Sequence, residues 1–168
     1  MILILAYGNT LRRDDGAGLA LGEELFRVWS AGGFFCRLIQ AHQLLPEHAE
    51  EIAQPGVEAL VFCDSQAVSG AGEPAIRFER LSAEKGISAA GHFFSPQALL
   101  ASALTLFHSA PPAWIATVPG SDYQHGEGLS QSTKNLLWGS GGGFPATLLE
   151  DILTVLHHKQ NPNPPADA

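Results

Sequence analysis

Residues 2–7, ILILAY, form a continuous apolar run that ends at the turn signal Gly8-Asn9. A short run of β-forming residues that stops at a turn is typical of a strand buried on both faces. Strands of this kind occur mainly in parallel sheets that carry helices on both sides. The start of the chain therefore predicts an α/β fold, and it constrains the architecture more than any other feature of the sequence.

The segments that follow alternate between helix and strand. The stretch GAGLALGEELFRVW has its apolar residues at helical spacing. A second strand is predicted at residues 34–39, a short helix opens at Pro46, and a third strand covers residues 58–64. This β-α-β-α-β order indicates a parallel sheet with right-handed crossovers.

The second half of the chain predicts two more strands, further helices and a proline-rich tail. These pieces are an edge strand at residues 75–81, a helix from Pro96, a strand at 113–118, a helical stretch from about 130 to 158 that the glycine run 139–143 interrupts, and a tail at 161–168. We therefore expect one domain, residues 1–160. It should be a three-layer sandwich with a mostly parallel, twisted sheet of about five strands flanked by helices. The tail is predicted to be disordered.

Charge and cysteine content narrow the possible partners and the compartment. The net charge is −8, and Lys and Arg form no cluster, which argues against nucleic acid or an anionic membrane as a partner. The apolar start is too short for a membrane span and lacks a basic leading segment.

Cys36 and Cys63 lie in separate apolar runs without a CxxC motif. This indicates a reducing compartment and no thiolate zinc site, so we expect a cytoplasmic protein.

Acidic residues follow two strands that the predicted fold places side by side. In an open parallel sheet, ligands bind beyond the carboxyl ends of the strands, where the strand order reverses. If the first three strands are ordered 2-1-3, this crevice lies between the first and the third. The loop after the first strand carries Asp14 and Asp15, and the third strand ends in Asp64. Both acidic positions should therefore open onto one crevice.

Each candidate residue also has a structural interpretation. Asp14 and Asp15 could cap a helix N-terminus, and Asp64 could cap the turn after its strand. His92, directly before a helix, could be a hydrogen-bonding loop residue, and His125 lies in a loop that could face the crevice. No GxSxG or GxxxxGK[ST] motif and no nucleophile–base pair is recognisable.

Four segments of the chain, in order, resemble the motifs of the hydrogenase maturation proteases. They are ILILAYGNTLRRDDGAG, LVFCDSQ, GHFFSPQALLASAL and VPGSDYQHGEGLS, and the similarity spans roughly residues 1–138. The resemblance implies a flavodoxin-like or phosphorylase-like fold. It also implies an endopeptidase that removes a C-terminal extension from the large subunit of a nickel-iron hydrogenase after nickel insertion.

By position, the resemblance implies that Asp15, Asp64 and His92 are the metal ligands and the catalytic residues. Two carboxylates and one imidazole suit nickel, zinc or manganese, and three protein ligands leave positions open for water or substrate. The resemblance implies that nickel is supplied by the substrate. The metal could polarise the scissile carbonyl, activate water or anchor the substrate. The chain departs from the family at Asp15, where Glu is common, and at Gln40, where many members carry Asp.

Two other functions stay open on the sequence alone. One is a non-catalytic, metal-dependent binding module that recognises a partner's C-terminal segment, which the loop at Gln40 and the glycine run 139–143 favour. The other is a small-molecule hydrolase or phosphorylase, for which only Arg12 and Arg13 are well placed to bind an anion. We expect a monomer whose partner is the hydrogenase large-subunit precursor.

Overall fold

The computed structural model describes residues 1–67, 74–82, 94–139 and 144–160. In chain order, its elements are β1 (Ile2–Tyr7), a short 3-10 turn (Arg13–Gly16), α1 (Ala17–Ala31), β2 (Cys36–Ala41), α2 (His48–Ala53), β3 (Ala59–Ala67), β4 (Arg77–Leu81), α3 (Pro96–Phe107), β5 (Ala113–Gly120), α4 (Gln131–Trp138) and α5 (Phe144–Gln160). None of the helices in these ranges is long and apolar enough to cross a membrane.

The five strands form one sheet in the order β2-β1-β3-β5-β4. Neighbouring strands are parallel except at the edge, where β4 runs antiparallel to β5. The predicted α/β class, the mostly parallel sheet of about five strands and the edge position of β4 are confirmed. The chain moves from β1 outward to β2 and then returns to the other side of β1 for β3. The strand order therefore reverses between β1 and β3, and the condition under which the sequence placed a crevice there is met.

Helices cover both faces of the sheet because the central strands are apolar on both sides. Along β1, Ile2, Ile4 and Ala6 pack on the face covered by α1, α4 and α5. Leu3 and Leu5 pack on the opposite face against α2 and α3. All five side chains are buried, and each buried leucine or isoleucine contributes about 1.5–3 kcal/mol to folding. The predicted three-layer arrangement is thus confirmed.

Helix α1 begins in direct contact with the main chain of the sheet. A Cβ added at Gly18 would lie 2.7 Å from the carbonyl oxygens of both Tyr7 and Cys63, and 2.8 Å from Cα of Asp64. Only glycine allows the helix to start this close to the ends of β1 and β3. The loop between β1 and α1 is therefore held against the point where the strand order reverses.

Every strand after β1 has at least one boundary that differs from the sequence prediction: β4 starts at Arg77 instead of residue 75, and β5 ends at Gly120 instead of residue 118. β2 starts at Cys36 instead of residue 34, because Phe34 is still tied to the end of α1 by a hydrogen bond from its N–H to the carbonyl of Trp29. β3 does not end at Asp64 but continues to Ala67, because its last residues pair with β5 up to Gly120 after β1 has ended. Residues 140–143 and the predicted tail 161–168 lie outside the described residues.

Candidate functional site

A cavity of about 360 Å³ opens at the carboxyl ends of β1 and β3. Asp15 and Asp64 both line it, together with Tyr7, Asn9 and Arg12. The two acidic positions therefore do open onto one crevice, at the place where the strand order reverses. Their roles as metal ligands and catalytic residues stay predictions.

Asp64 lies within β3, on the same face of the sheet as Phe62 and beside the end of β1. Its Oδ2 accepts a 2.7 Å hydrogen bond from the Tyr7 hydroxyl, and its Oδ1 accepts one from the N–H of Ser65. Burial raises the pKa of the Asp64 carboxyl, and the charge of Asp15 raises it further, although the hydrogen bonds from Tyr7 and Ser65 act in the opposite direction. The Asp64 carboxylate is thus held in one orientation and is partly shielded from solvent. It lies within a strand and does not cap a turn.

Asp15 lies in the 3-10 turn and is partly exposed to the cavity. Its position depends on the close return of the loop to Gly8, which has a φ of +149°. A Cβ at Gly8 would lie 2.0 Å from the carbonyl oxygen of Asp15, so any other residue would push the two segments apart. The N-terminus of α1 has no side-chain cap, and the alternative interpretation of Asp15 as that cap is therefore wrong.

Asp14 is fully buried and faces away from the cavity, towards the loop between β5 and α4. Its carboxylate accepts hydrogen bonds from the N–H groups of Ser121, Asp122 and Ser130 and from the hydroxyl of Ser130. Burial alone would raise the pKa of Asp14, but these bonds outweigh it and lower the pKa to about 2. The predicted capping of α1 by Asp14 is wrong, and a carboxylate so fully occupied is also a poor general base.

His92 lies outside the described residues, so its predicted role is untested. Phe94, the first described residue after that gap, lines the cavity. Among the residues that the structure describes, no three His, Cys, Asp or Glu side chains form a metal-binding group.

His42 and Gln43 line the cavity on the side of β2, a position that the sequence analysis did not predict. The parallel register pairs Tyr7 with Ala41, and the N–H of Gly8 donates to the carbonyl of Ala41. His42 therefore follows the strand end next to the loop that carries Asp15. The available signal was its position directly after β2, a strand adjacent to the switch point.

Tyr123 is a second contributor that sequence reasoning missed. A Cβ added at Gly120 would lie 2.5 Å from the Tyr123 hydroxyl and 2.8 Å from Cβ of Asp14. Burial raises the pKa of this hydroxyl, and the charges of Asp14, Asp15 and Asp64 raise it further, whereas the Ser65 hydroxyl lowers it. Tyr123 thus packs against Gly120 at the end of β5, close enough to the acids of the site to feel their charge. His125, in that loop, is exposed and does not line the cavity.

The cavity offers oxygen ligands and no activated thiol. Cys63 precedes Asp64 in β3, but its side chain is fully buried on the opposite face of the sheet. Burial, and then the charge of Asp64, raises the pKa of the Cys63 thiol, so the nucleophilic thiolate is disfavoured. The arrangement therefore suits chemistry that uses carboxylates, such as binding a divalent cation or positioning water.

No model of a protein family matches the chain, and no curated protein sequence matches it. Several solved structures do share its fold. The [NiFe] hydrogenase maturation protease HybD from Thermococcus kodakarensis is 19% identical, with a TM-score of 0.57 over 90% of this chain and 97% of that chain. HycI from Thermococcus kodakarensis KOD1 is 21% identical, with a TM-score of 0.57 over 91% and 92%.

The hydrogenase maturating endopeptidase HybD from E. coli is 19% identical, with a TM-score of 0.56 over 94% of this chain and 93% of that chain. The three similarities cover nearly the full length of both partners. At these identities they show that the chain has the fold of the maturation proteases.

Proposed function

We propose that the protein is an endopeptidase that removes a C-terminal extension from the large subunit of a nickel-iron hydrogenase. The observation that carries the proposal is the placement of Asp15 and Asp64 on one cavity at the switch point of a fold shared with hydrogenase maturation proteases. The sequence motifs that resemble this family contain the same two residues. The enzyme would act in the cytoplasm as a monomer, and its partner would be the large-subunit precursor.

Asp15, Asp64 and His92 would hold a divalent metal at this cavity. The donor set fits, because two carboxylates share the cavity and the charge of Asp15 already disfavours ionised Asp64, a repulsion that a cation would relieve. His92 enters this ligand set through the family resemblance, and it stands two positions before Phe94, a residue that lines the cavity. Nickel, delivered by the substrate, is the proposed ion, and zinc or manganese would also suit these ligands. The metal would supply Lewis acidity or an anchor for the substrate.

The residues of the chain would orient the reacting groups. The Tyr7 hydroxyl and the Ser65 N–H fix both oxygens of Asp64, so that this carboxylate needs little reorganisation when it meets its ligand. Asp15 lies across the cavity on a loop that Gly8 and Asp14 hold in place. No protein nucleophile is required, and a water molecule would attack the scissile carbonyl.

The test is cleavage of a purified nickel-containing large-subunit precursor, followed by mass spectrometry of both products. Wild-type protein should release one C-terminal fragment, whereas Asp64→Asn should not, because the substitution removes a charged ligand. Glu79→Gln, which neutralises an exposed carboxylate on β4 far from the cavity, is the matched control and should cleave normally. An intact precursor after incubation with wild-type protein would contradict the proposal.

The same experiment distinguishes the proposed protease from the second candidate function, a binding module. A non-catalytic binding module would use the same cavity, and the exposed His42 and Gln43 in place of an acid after β2 favour it. Such a module would form a stable complex with the precursor and release no fragment.

A further inference from the structure

The loop from Asn9 to Arg13 carries a large apolar side chain, Leu11, that is 50% exposed. Leu11 is not on a loose segment. Its N–H donates to Oδ1 of Asn9 at 2.9 Å, and the N–H of Arg12 donates to the carbonyl of Asn9. These hydrogen bonds hold the backbone that carries the exposed leucine.

The other side of this loop is paired with the segment after β5. The N–H of Gly126 donates to the carbonyl of Leu11 at 2.8 Å, and the N–H of Arg13 donates to the carbonyl of Gly126 at 3.0 Å. Arg13 adopts a φ of +47°, a conformation that costs a non-glycine residue about 1–2 kcal/mol. Strain of this kind persists where the surroundings fix the backbone, and it often marks functional sites.

A second cleft, of about 220 Å³, lies on the other side of the same loop. Its walls include Leu19 and Ala20 of α1 and Leu129 of the loop before α4. Two charged residues also reach it, but both are already paired: Arg13 with Asp122, and Glu23 with the side-chain amide of Gln40. The cleft therefore offers apolar contact rather than an unpaired charge.

Residues that line the two cavities alternate along the loop, and each set recurs every third residue. Asn9, Arg12 and Asp15 line the acidic cavity. Thr10, Arg13 and Gly16 line the apolar cleft. Leu11 lines neither cavity and is half exposed, and Asp14 is buried. One hydrogen-bonded loop thus lies between a polar cavity and an apolar cleft, and it carries an exposed leucine.

We propose that Leu11 and the apolar cleft form the binding site for the substrate segment next to the scissile bond, with one apolar side chain of the substrate in the cleft. This inference rests on the proposed function, because an endopeptidase must hold its chain beside the acids to place the bond. The loop from Asn9 to Gly16 forms a wall of both the apolar cleft and the acidic cavity. An extended peptide that crosses the loop contacts Leu11 and reaches both cavities.

The experiment compares two variants of this surface with one control. Leu11→Ser removes the exposed apolar side chain of the loop, and Ala20→Phe fills the cleft. Phe35→Ser removes an apolar side chain that is 76% exposed just before β2, at the opposite end of the sheet. The KM and kcat for the nickel-containing precursor are measured for each variant. Its Kd for the precursor is then measured in an Asp64→Asn background, where no cleavage interferes.

Leu11→Ser should raise KM and Kd about tenfold, the effect of losing one buried leucine contact, with kcat nearly unchanged. Ala20→Phe should act in the same direction, and circular dichroism checks that its fold is retained. Phe35→Ser should match wild type. Unchanged KM and Kd in both variants, or an equal change in Phe35→Ser, would overturn the inference while the proposed function stands. Loss of binding in Leu11→Ser, with no cleavage by wild type, would support the binding site and reject the protease.

Discussion

Asp14 and Asp15 are adjacent in the sequence, but their side chains serve different parts of the molecule. Asp14 is buried and accepts five hydrogen bonds from the segment between Ser121 and Ser130. Asp15 lines the acidic cavity and is partly exposed. The 3-10 turn places one carboxylate inside the protein and the next one at the candidate site.

Asparagine substitutions should separate these two roles. Asp14→Asn should lower the free energy of unfolding by about 2–3 kcal/mol, because an amide nitrogen would face N–H donors that a charged oxygen now satisfies. Asp15→Asn should change the free energy of unfolding by less than about 1 kcal/mol and abolish cleavage. Urea denaturation gives the first quantity, and the precursor assay gives the second. Equal destabilisation by the two variants would contradict the assignment.

The stability of the metal-free protein should fall in acid through Asp14. Its pKa is lowered from 3.8 to about 2 in the folded state, so the unfolded chain takes up a proton first. The contribution is fully present above the unfolded value, and about 2 kcal/mol is lost as the pH falls towards 2. Wild type and Asp14→Asn should therefore converge in stability as the pH falls from 5 to 2.5. A constant difference between them over this range would show that Asp14 does not carry the effect.

The hydrogen bond from Tyr7 should favour the ionised form of Asp64. Tyr7→Phe removes the 2.7 Å bond and leaves the ring in place, so the pKa of Asp64 should rise above its already raised value. The measurement is an NMR titration of the Asp64 carboxyl carbon in metal-free protein. A midpoint that stays the same or moves to lower pH would mean that this bond does not stabilise the carboxylate.

Cleavage should depend on nickel that is already bound to the precursor. Asp15, Asp64 and His92 would complete the coordination of that nickel on docking, so a nickel-free precursor would lack a contact of about 4 kcal/mol and bind about a thousandfold more weakly. Precursors with and without nickel are compared at equal concentration, and calorimetry measures nickel binding by the free enzyme. Equal cleavage rates, or nanomolar nickel binding by the enzyme alone, would contradict this dependence.

Thiol reagents should leave cleavage intact. Cys63 is fully buried and the pKa of its thiol is raised, so iodoacetamide should not reach it in the folded protein. Mass spectrometry should find any adduct at Cys36, which is partly buried, and at both cysteines once the protein is unfolded in urea. Inactivation that parallels modification of Cys63 in folded protein would instead indicate covalent catalysis.

The sheet could be predicted from the sequence because its strands are locally encoded. The run at residues 2–7 is apolar on both faces, and turn residues separate it from the helix that follows. The order of the first three strands then places Asp15 and Asp64 together. Local patterns could not show where β3 ends, because Ser65 to Ala67 remain in the strand only through their pairing with β5.

The role of Asp14 could not be predicted for a different reason. Its partners Ser121 and Ser130 lie more than 100 residues away along the chain, and no periodicity reports such a contact. An acid near the start of a helix normally indicates a capping residue. Here the Asp14 carboxylate accepts hydrogen bonds from a distant loop instead of from the N-terminus of α1. His42 was missed similarly, because its place on the cavity depends on the register between β1 and β2.

The close contact of Gly18 with the ends of β1 and β3 has a consequence for the substrate. Because α1 starts against main-chain atoms, the main chain at the end of β1 and at Asp64 has little room to shift towards the helix. Under the proposed function, the substrate segment would have to adapt to this main chain, and it would arrive as an unstructured chain end. The precursor segment would then lose most of the conformational entropy that binding removes. A free peptide of the same sequence would bind weakly, whereas a precursor that already holds its terminus near the cavity would be recognised well.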